Sequence, residues 1–67
     1  MKRRDVERWL RARGFVETRG STGHAVWRGH GLTLAISAHV PHVPRGIVAQ
    51  LRRRLRAAGF ERPLEET

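Results

Sequence analysis

The sequence predicts a small α+β domain in which a three-stranded antiparallel sheet carries two helices on one face, in the order α-β-β-β-α. Two amphipathic stretches lie towards the ends of the chain, with apolar residues recurring at spacings of three and four. Between them run three short strand-like segments joined by Gly-containing turns, and such short connections suit only antiparallel neighbours. At 67 residues the chain holds a single domain. Two helical stripes and one apolar sheet face bury one another only if both helices lie on that face. The other face is then left to solvent or a ligand.

The first helix is predicted over about residues 3–13. Val6, Trp9, Leu10 and Arg13 share one side. Asp5 and Glu7 near its start and Arg11 and Arg13 near its end complement the helix dipole. Gly14 supplies the left-handed stop. Residues 15–19 (Phe-Val-Glu-Thr-Arg) read as the first strand, on their β-branched and aromatic content. A Gly-rich turn from Gly20 to Gly23 leads into a second strand over residues 24–28, and Gly29-His30-Gly31 forms a tight hairpin connection. In residues 32–37, Leu32, Leu34 and Ile36 alternate with Thr33, Ala35 and Ser37, as expected of a strand with one apolar face. A proline-punctuated loop follows. Pro44 opens a second helix over about 44–58, with Ile47, Val48, Leu51, Leu55 and Ala58 as its apolar stripe. Gly59 ends it, and Phe60 is placed to pack back on the last turn. Residues 61–67, acidic and containing Pro63, read as a loose tail.

Composition narrows the partners. The formal net charge is +8 and the isoelectric point about 11.9, and thirteen of the fourteen basic side chains are arginine. Such a charge on so small a domain points to a polyanion, either nucleic acid or an acidic protein. The absence of cysteine excludes disulfides and thiolate metal sites. No apolar run approaches a membrane span or a signal-peptide core, so a cytoplasmic protein without membrane contact is expected. His39 and His42, with His30 near in sequence, invite a zinc reading. The loop supplies no acidic partner and Pro41 interrupts the pair, so no metal or other cofactor is expected.

The stretch from Arg19 to Trp27 carries the chemistry. Its turn delivers His24 onto the start of a strand, and histidine titrates near neutral pH. Strand parity puts His24, Val26 and Arg28 on one face and Ala25 and Trp27 on the other. Trp27 offers the larger apolar area, so it is expected in the core, which turns His24 and Arg28 outwards together.

The ordered set of features resembles the HicA (YcfA-like) family of small mRNA interferases. It comprises Asp5-Val6 opening the first helix, Gly14-Phe15, Gly23-His24 with Trp27 three residues on, His39 after the third strand, and Gly59-Phe60. The likeness covers about residues 2–60. It implies a fold like the double-stranded-RNA-binding domain, metal-independent cleavage of mRNA, and silencing by a HicB-like antitoxin protein. The family's catalytic histidine carries over onto His24. The turn departs from the family pattern in having Thr22-Gly23 where Gly-Ser precedes that histidine, a single cation (Arg19), and Ala25 directly after it.

On that reading His24 is the acid/base group of a step in which the RNA 2′-hydroxyl attacks the adjacent phosphate. Arg19 and Arg28 are candidates for charge stabilisation at phosphate. Ser21 and Thr22 are placed to donate hydrogen bonds to it, together with turn N–H groups. Arg52 and Arg53, in the basic run of the second helix, either follow RNA phosphates or dock an acidic antitoxin surface. The competing expectations are a non-catalytic basic RNA-binding module and a degenerate toxin retained for partner binding.

Overall fold

The computed structural model describes residues 1–19, 24–37 and 40–64. The elements are α1 (Arg3–Ala12), β1 (Val16–Arg19), β2 (His24–Gly29), β3 (Leu32–Ser37) and α2 (Arg45–Ala57). The sheet runs β1-β2-β3 with both pairs antiparallel. The α+β class and the element order are therefore those the sequence predicts.

Both helices end in the same way. Gly14 (φ +89°) and Gly59 (φ +106°) adopt the left-handed conformation that glycine tolerates best. The N–H of Gly14 donates to Arg11 and that of Phe15 to Leu10; Gly59 donates to Arg56 and Phe60 to Leu55. These are Schellman motifs, and they satisfy carbonyls that the helix ends would otherwise leave open. They also explain one difference from expectation. Phe15 is not the first residue of β1, because its N–H closes the cap of α1 and its side chain is buried. Pro44 likewise stands just before α2, as its N-cap, rather than inside it.

The connection between β2 and β3 is a two-residue turn. His30 (φ +51°) and Gly31 (φ +77°) both have positive φ between the paired Gly29 and Leu32, the signature of a type I′ hairpin. The His30 ring lies 5.1 Å from those of both Phe15 and Phe60, and the two phenyl rings are 6.0 Å apart. Its Nε2 is 2.7 Å from the Arg13 carbonyl. The turn thus bolts together the C-terminal ends of both helices. Gly29 must be small here, since a Cβ would stand 3.0 Å from Phe15 Cδ2 and 3.1 Å from its Cα.

One apolar cluster joins Val6 and Leu10 of α1, Val48, Leu51 and Leu55 of α2, and Ala25, Trp27, Leu34 and Ile36 of the sheet. Both helices therefore bury their stripes against the same sheet face. The stripe of α2 is narrower than predicted, since Ile47 is 38% exposed and Ala58 is exposed too. The segment before α2 is partly a ladder: Lys2 bridges His42, Arg3 N–H donates to the Pro41 carbonyl and Val43 N–H to that of Met1.

The tail corrects the expectation of a loose end over residues 61–64. Leu64 and Pro63 are fully buried. The Arg52 guanidinium donates to the Pro63 carbonyl (3.3 Å) and the Leu64 carbonyl (3.2 Å). Full burial of the Leu64 side chain contributes about 1.5–3 kcal/mol and, with the Arg52 bonds, offsets part of the entropy lost on ordering the segment.

Candidate functional site

The face of the sheet away from the helices is open. The register sets Thr18 beside Val26 and Ala35 on this face, with Val16 and Thr33 flanking Arg28, and Ser37 opposite His24. Thr18, Thr33 and Ala35 are exposed and Val26 is half-buried; Val16 is 62% exposed. The surface is a shelf of small side chains. His24 stands at one end of β2 on this shelf and Arg28 towards the other, both exposed.

This orientation follows from the core. Trp27 is fully buried and Ala25 nearly so. Side chains alternate along a strand, so burying positions 25 and 27 turns 24, 26 and 28 outwards. The parity expected from Trp27 is the parity found. The same geometry separates the two groups. Four residues of strand span about 13 Å, so His24 and Arg28 cannot meet at one phosphate. Arg28 is exposed at the turn end of β2, away from His24.

His24 also forms part of the wall of a groove of about 360 Å³. The remaining walls are apolar or small: Ala35, Ile36 and Ser37 of β3, Val40, Val43 and Pro44 of the segment before α2, and Ile47 of α2. Val40 and Ile47 are exposed apolar residues, at 37% and 38%. The groove lies at the Ala35–Ser37 end of the edge strand β3, where His24 pairs with Ser37, and meets the open shelf at His24. As a sequence, neither Ala35 nor Val40 marks a site, and Ile47 reads as a member of the α2 stripe.

The other sequence candidates fall in different places. Ser21 and Thr22 lie outside the described residues, as does the side chain of Arg19, whose backbone pairs with Ala25. Arg52 is half-buried and engaged with the tail carbonyls, so it serves the fold. Arg53 is exposed on α2, the helix that packs on the face of the sheet opposite Arg28. Arg54, next along, donates to the Thr33 carbonyl at 2.8 Å. His30 belongs to the aromatic bolt, and His39 lies outside the described residues. Among the described residues no group of three His, Cys, Asp or Glu side chains is placed to hold a metal ion.

Charge is unevenly distributed. The carboxylates of Asp5 and Glu7 stand 3.9 Å from Arg8 and Arg3 on α1 itself. Helix α2 carries five arginines and no carboxylate. Several arginines also pack: the Arg11 guanidinium lies 5.2 Å from the centre of the Trp27 ring and that of Arg13 4.4 Å from Trp9. The arginine excess thus includes structural members, and the net positive field remains.

No family model, curated protein or solved structure matches this chain. Among the described residues, no helix is long and apolar enough to cross a membrane.

Proposed function

We propose that this protein is a HicA-type ribonuclease toxin that cleaves mRNA without a metal and is silenced by an acidic, HicB-like antitoxin. The observation that carries the reading is the outward placement of His24 where the open sheet face meets the groove, fixed by the burial of Trp27 two residues beyond Ala25. The α-β-β-β-α order with one uncovered sheet face, as in a double-stranded-RNA-binding domain, and the net charge of +8 support it.

The chemistry asked of His24 is proton transfer. The 2′-oxygen of the RNA attacks the adjacent phosphorus, its proton leaves to a base, and the bond from phosphorus to the 5′-oxygen breaks as that oxygen takes a proton. The products are a 2′,3′-cyclic phosphate and a 5′-hydroxyl. An imidazole can serve either transfer near neutral pH. Charge on the pentacoordinate phosphorus is met by arginine and by backbone N–H groups, with Arg19, Ser21 and Thr22 as the candidates nearest in sequence. Arg28 holds the chain beyond the cleavage point.

The test is side-by-side expression of the wild type and His24→Ala, followed by cleavage of a defined mRNA with the purified proteins. The variant should fold, bind RNA with similar salt dependence and form no cyclic phosphate. Loss of activity in EDTA, or full toxicity of His24→Ala, would sink the proposal. Steeply salt-dependent RNA binding by the wild type without any cyclic product would identify a binding module instead.

A further inference from the structure

The groove beside His24 borders a strand edge, and the hairpin geometry shows which backbone groups that edge presents. In a two-residue type I′ turn the flanking residues, Gly29 and Leu32, form the closing hydrogen-bonded pair. Pairs then alternate along the ladder, so Trp27–Leu34 and Ala25–Ile36 are hydrogen-bonded, whereas Arg28–Thr33 and Val26–Ala35 are not. The N–H and C=O of Thr33 and Ala35 are therefore turned away from β2. The Arg54 guanidinium reaches the Thr33 carbonyl from that outer side. At Ala35 the edge opens onto the groove, and Ala35 is exposed.

An edge of this kind is usually blunted by charge, by proline or by a covering element. Here Arg54 blunts the turn end. The other end carries two exposed apolar side chains, Val40 and Ile47, which line the same groove as Ala35. Backbone groups for a ladder next to a pocket for alternate side chains are the two parts of strand-addition recognition.

We propose that the outer edge of β3 accepts an extended acidic segment of a second protein as a fourth strand. Its backbone pairs at Ala35, and one apolar side chain enters the groove between Val40 and Ile47. Charge selects the occupant. Arg45 follows Pro44 of the groove, Arg54 stands at the far end of the edge, and the whole chain carries +8. A second copy of this chain would bring like charge to the same edge, whereas carboxylates flanking the inserted strand meet these arginines. A strand seated there covers the His24 side of the groove. Strand addition stands without any chemistry at His24; only its inhibitory consequence rests on the ribonuclease reading.

The test selects short displayed peptides with alternating apolar and acidic positions against the full chain, and maps the best binder by amide NMR. The Ala35 amide should shift and exchange more slowly. N-methylation of alternate peptide amides, and the variants Ile47→Glu and Ala35→Pro, should each weaken binding about tenfold or more. Ile47 and Ala35 are exposed, and circular dichroism checks both folds; should Ala35→Pro unfold, Ile47→Glu and the methylated peptide still decide. The proposal is overturned if no selected peptide prefers the wild type to Ile47→Glu. It is also overturned if binders shift Arg53 and Arg56 but leave Ala35 unmoved, if the chain self-associates through β3, or if only a short single-stranded RNA occupies the groove. Peptide binding that persists in a protein without nuclease activity upholds strand addition and rejects the ribonuclease reading alone.

Discussion

Arg52 and Arg53 are neighbours in sequence, and the structure gives them opposite consequences when removed. Arg52 donates from Nε and Nη2 to the carbonyls of Pro63 and Leu64, the two buried residues that anchor the end of the described chain. Both bonds come from a charged donor, but at 3.3 and 3.2 Å they are long for charge-assisted bonds and the group is only part-buried. Losing both together is therefore placed at the low end for such bonds, about 1.5–2 kcal/mol. In a domain of this size a kcal/mol moves the melting temperature by about 4–8 °C, so Arg52→Ala should lower it by roughly 6–16 °C. Arg53 is exposed, and Arg53→Ala should stay within about 0.5 kcal/mol of wild type. If Arg53 contacts RNA phosphate, its loss should instead weaken binding across sequences and reduce the salt slope by about 1. The assay pairs thermal unfolding with RNA titrations at several salt concentrations. A wild-type melting temperature for Arg52→Ala, with RNA binding weakened as much as by Arg53→Ala, would refute the assignment of Arg52 to the tail.

Two further substitutions test the packing that positions the site. Leu64→Ala removes a fully buried side chain and should cost about 2–5 kcal/mol, a large share of the roughly 3–10 kcal/mol available to 67 residues; denaturant titration checks it, and a change below about 0.5 kcal/mol would mean the tail is not part of the core. Gly29→Ala sets a Cβ 3.1 Å from the Phe15 Cα, a backbone atom that cannot swing aside, so overpacking of about 1–3 kcal/mol outweighs the entropic gain of up to about 1 from stiffening the unfolded chain. A raised melting temperature for Gly29→Ala would contradict that contact.

The elements were legible where local rules and tertiary packing agree. Alternation in β3, the helical period of α1 and the glycines after each helix all point to what forms. The face of β2 was legible because Trp27 and His24 differ in parity and only one of them gains much from burial. The tail was not legible. Glu61, Arg62 and Pro63 carry the composition of a disordered end, and nothing local announces that Leu64 has a place beneath Arg52. The roles of Arg52, Arg53 and Arg54 were hidden for the same reason. A run of three arginines looks uniform in sequence, yet each points a different way around α2, one to the tail, one to solvent and one to the edge of β3. The groove was hidden because its walls come from β3, the following loop and α2, and meet only in the fold.

The two ends of the β2–β3 hairpin differ in how they are packed. At the turn end, two Schellman caps, the aromatic contacts of His30 with Phe15 and Phe60, the close fit of Gly29 and the Arg54 bond to Thr33 all converge. These fix the ladder register. Register matters more here than elsewhere, because a slip of one residue would exchange Trp27 for Val26 in the core and turn His24 inwards. At the other end His24 faces out beside exposed Val40 and Ile47, apolar surface that costs stability in water and gains it only when covered. The turn end therefore fixes from a distance which face of β2 carries His24. Substitutions at His24 or Ile47 should therefore leave the register, set some 17–20 Å away along the strands, in place.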